Sequence, residues 1–114
     1  MSLQDDRAEL AAALSTVEGV TGHPYRPRVL TPGAGWPLLG RLERGPAYDC
    51  EATWRVVVIL PSDEIRASEA FDAWHEPISD ALTDVAHVDR IEPGLVATDA
   101  GDLEAMMITV RREA

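Results

Sequence analysis

At 114 residues and 46% apolar content, the chain is long enough for one continuous core and too short for two, which predicts a single domain over residues 1–114. The formal net charge is −10 and all ten basic residues are arginine, so phosphates meet repulsion on average and ordinary nucleic-acid binding is disfavoured. No segment reaches the roughly 18 apolar residues of a membrane span and the opening MSLQDDRAEL lacks a hydrophobic signal region, so a cytoplasmic start is expected; the single Cys50 cannot form an intrachain disulfide.

In chain order, Leu3, Leu10, Leu14 and Val17 recur at helical spacing, with Asp5, Asp6 and Glu9 on the other side. This predicts an amphipathic helix from residue 3 to near Gly19, capped by Ser2, with Asp5 and Asp6 at the positive end of its dipole. The stretch TGHPYRPRVLTPGAGWPLLG holds four of the eight prolines, and each pushes its predecessor toward extended conformations. A short extended piece over 25–30, a turn through 32–35 and a strand over 36–44 are expected. ERGPAY then reads as a hairpin turn broken at Gly45-Pro46.

The third strand, over 47–60, is the clearest element. Tyr48, Cys50, Ala52 and Trp54 alternate with Asp49, Glu51, Thr53 and Arg55, so one face is buried and the other wet. From Val56 onward both faces are apolar, and this half must be covered on both sides, by the chain itself or by another subunit. Cys50 falls on the apolar side as a small core residue.

A second helix is expected over 63–84, with Ile65, Phe71, Trp74, Ile78, Leu82 and Val85 on one face and a kink or break at Pro77. Two strands follow, over 86–97, interrupted at Pro93-Gly94, and over 104–112, with TDAGD as the hairpin loop. The predicted class is α+β: two amphipathic helices packed on one face of a mainly antiparallel sheet of four to five strands, in the order α-β-β-β-α-β-β.

Few residues carry chemistry. In LPSDE, Asp63 and Glu64 can be strand-end catalytic acids or the first turn of a helix capped by Ser62; the second reading needs no partner group. Asp72 with His75, and Glu76 with Asp80, have helical pair spacing, but no second histidine stands at ligand distance and Pro77 intervenes. His87 and Asp89 share a strand face near Asp84, without a nucleophile to complete a triad; His23 has still less context. GAGWPLLG lacks the flanking strand and helix of a dinucleotide site, and a phosphate-binding Gly-Lys pair is impossible without lysine. No catalytic residue, metal or cofactor is expected. Trp36, between Gly35 and Pro37, holds an odd position for a core anchor and reads either as a plain core residue or, if exposed, together with Leu38 and Arg41 as the candidate oligomer or partner interface.

Taken together, the long strand YDCEATWRVVVILP, the helix FDAWHEPISDAL and the closing VAHVDRIEPGLVATDAGDLEAMMITVRRE resemble the small tail-terminator proteins of long-tailed bacteriophages, especially those infecting actinobacteria. TWRVVVILP, VDRIEP and ITVRRE carry most of the likeness, which covers nearly the whole chain and departs in the Pro-rich segment 24–37. The resemblance implies helices on a mostly antiparallel sheet. It further implies a ring, usually hexameric, that caps the tail tube, stops its polymerisation and offers a surface to the head-to-tail connector protein, without catalysis. Self, the tube protein and the connector protein are then the expected partners, and the head-proximal end of the virion tail is the expected location after assembly in the host cytoplasm. DNA would pass without specific binding, with Asp99 and Asp102 expected to face the lumen. Alternatives are another connector or minor tail protein of the same virion, or a small α+β enzyme using His75 or His87.

Overall fold

A computed structural model describes residues 2–44 and 50–113. The elements are α1 (Leu3–Ser15), β1 (Thr21–Gly22), β2 (Ala34–Arg44), β3 (Cys50–Ile59), α2 (Glu64–Thr83), β4 (His87–Thr98) and β5 (Gly101–Glu113). The expected turn at Gly45-Pro46 and the expected start of the third strand at 47–49 lie outside the described residues.

The strands form one sheet in the order β1-β2-β3-β5-β4, antiparallel except for the two-residue parallel pair of β1 with β2. The class is the predicted α+β, with both helices on one face. There Leu10 and Leu14 of α1 and Ile78 and Leu82 of α2 bury against Trp54, Val56 and Val58 of β3 and Met106, Ile108 and Val110 of β5. Gly22 makes the approach of α1 possible: a Cβ built there would lie 1.9 Å from the Ala11 carbonyl oxygen.

Several local expectations are corrected. α1 ends at Ser15, well short of Gly19, and Asp6 is fully buried rather than on a wet face, because Arg112 of β5 reaches it at 3.3 Å. Asp63, not Ser62, caps α2, its carboxylate accepting from the Ile65 amide at 3.1 Å. The helix is not broken at Pro77, and Ile65 is 68% exposed instead of facing the core. β4 is not interrupted at Pro93-Gly94; its irregularity is a register shift between Val88 and Arg90. The turn after it is tighter than TDAGD, since Thr98 already pairs with Gly101.

Both margins of the sheet carry devices that discourage further strand pairing. β1 covers β2 only at Ala34 and Gly35; beyond them β2 has Pro37 and a register shift between Leu39 and Arg41. β4 has Pro93 and its own register shift. A proline gives no amide to a new strand and a bulge twists the edge away, so both margins are poor templates for edge-to-edge joining.

Candidate interaction surfaces

Val56, Val57, Val58, Ile59 and Leu60 are all at most 4% exposed, and the chain itself supplies both covers. Val56, Val58 and Leu60 face the helices. On the opposite face Val57 and Ile59 pack with Trp36, Val96 and Ala105, flanked by Leu30, Leu103 and Met107. The Pro-rich segment that was expected to be partly extended at 25–30 contains no strand there; it crosses this face as an irregular strap. Arg26 ties it down by donating to the Ala97 carbonyl at 3.0 Å, and the Gly33 amide donates to the Ile59 carbonyl at 2.8 Å. From α1, Arg7 donates to the Pro24 and Pro37 carbonyls and stacks over the Tyr25 ring at 4.4 Å.

Trp36 is therefore corrected as an interface residue. At 1% exposure it is an internal anchor, because the strap that precedes it folds back over its ring. Leu38 and Arg41, on the same side of β2, remain exposed.

Past Trp36 the strap ends and the sheet face opens to solvent. Residues paired across antiparallel strands share a face, so the register defines rungs. Leu38, Arg55, Thr109 and Arg90 form one rung across β2, β3, β5 and β4; Arg41, Thr53, Arg111 and His87 form the next; Glu43, Glu51 and Glu113 follow. Two adjacent rungs thus gather four of the ten arginines on one face of an acidic protein. Gly40, Arg41, Thr53, Arg55, Arg90 and Thr109 border a shallow hollow of about 360 Å³.

Three of these arginines have local carboxylates. Arg41 lies 3.0 Å from Glu43 and Arg90 3.4 Å from Glu92. Arg111 holds Asp89 at 2.8 Å and reaches Glu51 at 3.7 Å. The hydrogen bond from Arg111 lowers the Asp89 pKa below the usual carboxylate range, and the same contact raises that of Arg111. Arg55 has no ion pair among the described residues. Sequence alternation places Arg55 on a wet face, but its company depends on register between distant strands and was missed.

The opposite layer is acidic. Along α2, Ile65, Glu69, Asp72, Glu76 and Asp80 recur at three- or four-residue spacing, all exposed. One apolar residue is followed by four carboxylates on one helical stripe.

The other candidates fall into separate places. His75 stacks on Phe71 with ring centroids 6.2 Å apart and lines, with Asp72, Ile91, Pro93 and Glu104, an open groove of about 620 Å³ between α2 and β4. His87 lies 3.3 Å from Asp89, whose carboxylate is already held by Arg111. Glu64 opens α2 beside its cap Asp63. Among the described residues no three His, Cys, Asp or Glu side chains form a metal-ligating group, and no helix is long and apolar enough to cross a membrane. Asp99 occupies the β4–β5 turn and borders a hollow with Arg26 and Arg28; Asp102 lies on β5 opposite Ala97. Both are exposed.

No family model and no curated protein matches the sequence.

Proposed function

We propose that this chain is a structural virion protein: a tail terminator that forms a ring, caps the tail tube, stops its polymerisation and joins it to the head connector. The observation that carries the reading is spatial. The three segments with most of the likeness, TWRVVVILP, VDRIEP and ITVRRE, fall on β3, β4 and β5, which are neighbours in one sheet, so the likeness belongs to a contiguous folded unit. The open, arginine-bearing face of that sheet lies opposite an acidic helical layer, and two unlike faces suit the head-to-tail contacts from which rings close. In such a ring Asp99 and Asp102 would repel the phosphates of passing DNA, by about 1 kcal/mol for a close pair in water. The protein would then act in the virion, at the head-proximal end of the tail, with no catalytic step.

Electron microscopy of particles assembled without this protein tests the station. Overlong tails are expected for a terminator; finished tails beside unattached heads would assign it to the connector instead. Native mass measurement, alone and with tube protein, should give a ring. If His75→Ala or His87→Ala abolished an activity while tails kept their normal length, the enzymatic alternative would replace this reading.

A further inference from the structure

The open face of the sheet has chemistry that fits one occupant, the α2 stripe of a second copy. This inference rests on the self-association proposed above and specifies its contact. The sheet face offers an apolar residue, Leu38, 44% exposed, followed across the rung by Arg55, Thr109 and Arg90. The stripe offers an apolar residue, Ile65, 68% exposed, followed by Glu69, Asp72 and Glu76. The two patterns match in order, an apolar residue first and then opposite charges at Arg55 with Glu69 and at Arg90 with Glu76, with the neutral Thr109 between them.

They also match in length. From Leu38 to Arg90 is three strand steps, or about 14 Å at about 4.8 Å each. From Ile65 to Glu76 is eleven residues, or about 16 Å at about 1.5 Å of rise. A helix lying along the rung would set Ile65 on Leu38, Glu69 at Arg55, Asp72 at Thr109 and Glu76 at Arg90. The exposed pairs Arg41–Glu43 and Arg90–Glu92 hold little energy individually, so their arginines can turn to a new carboxylate at small cost. Arg55 has no such pair among the described residues to give up. Edge-to-edge joining is the competing mode of assembly, and the proline and register shift at each margin, on β2 past the end of β1 and on β4, oppose it.

We propose that α2 of one copy docks on the Leu38–Arg55–Thr109–Arg90 rung of the next, so that the acidic helical layer and the arginine face form a repeating, head-to-tail contact. The two surfaces lie on opposite layers of the subunit, so each copy can use both at once. The contact is electrostatic in part and should weaken as salt rises.

Charge reversal with cross-complementation tests this. The masses of the wild type, Arg55→Glu/Arg90→Glu, Glu69→Arg/Glu76→Arg, and an equimolar mixture of the two variants are measured by sedimentation at about 50 mM and about 500 mM salt. Circular dichroism of each variant checks that these exposed positions leave the fold unchanged. The expected result is a wild-type oligomer that dissociates at high salt, with each double variant associating at least about tenfold more weakly. The mixture should recover the oligomer, because each reversed face then meets a reversed partner. An oligomer of unchanged mass in both variants overturns this contact and leaves the ring standing on another surface. A wild type that stays monomeric in every condition, including with tube protein, overturns the ring and the contact together.

Discussion

Arg112 of β5 lies 3.3 Å from Asp6 of α1, a carboxylate with no exposed surface, and its guanidinium also contacts Glu9. This places an ion pair where the first helix crosses the last strand, two elements at opposite ends of the chain. Burial raises the Asp6 pKa and Arg112 opposes it; burial is the larger influence. Arg112→Ala leaves the carboxylate buried without that cation and is expected to cost about 3 kcal/mol in urea unfolding.

The same group has a pH signature. The folded pKa of Asp6 is above its unfolded value, so between the two the folded chain binds more protons than the unfolded one. Its contribution is fully present below the unfolded value and is lost as pH rises through the folded one. The stability of wild type relative to Asp6→Asn should therefore decline as pH rises through that window. A relative stability that rises over the same window would contradict the assigned direction.

Asp89 has the opposite sign. Arg111 depresses its pKa, so the stabilisation is present above the ordinary carboxylate range and lost as pH falls through the depressed value. Asp89→Asn should flatten the acid limb of the unfolding profile, a small effect at this exposed site, and His87 and Arg111 should shift their NMR resonances with it.

Trp36→Ala should destabilise the isolated chain by about 3 to 5 kcal/mol, the usual cost of emptying a buried aromatic site. Trp36→Phe should be milder, because the buried indole Nε1 has no hydrogen-bond partner among the described residues to lose. Leu38→Ala, only two residues on, should stay within about 0.5 kcal/mol under conditions where the chain is monomeric. Chemical denaturation followed by tryptophan fluorescence separates the three.

Gly22→Ala tests the seat of α1. The added methyl would meet the Ala11 carbonyl, forcing the helix off β1 at a cost of about 1 to 3 kcal/mol. The thermal midpoint should fall while the far-ultraviolet spectrum of the folded state is kept.

Local patterns were sufficient for every element but β1, which lies at Thr21–Gly22 and not at the expected 25–30. The helical spacing of Leu10 and Leu14, the strand alternation through Glu51 to Arg55, and the continuous apolar run from Val56 identified α1, β3 and a doubly covered sheet, because each periodicity belongs to a single backbone geometry. The same patterns misplaced Asp6 and Ile65. Spacing along a helix says which residues share a side, whereas burial depends on what lies opposite: Arg112 for Asp6, and solvent for Ile65.

Sequence alone thus determined the α+β class, the element order and the need to cover 56–60 on both sides. Only the tertiary structure decided what does the covering. A proline-rich segment with no periodicity has no preferred face, so its folding as a strap over Trp36, Val57 and Ile59 follows from long-range anchors at Ala97, Ile59 and Arg7. The arginine rungs have the same origin. Arg41, Arg55, Arg90 and Arg111 come from four strands, and strand order and register, which no local stretch encodes, bring them onto one face.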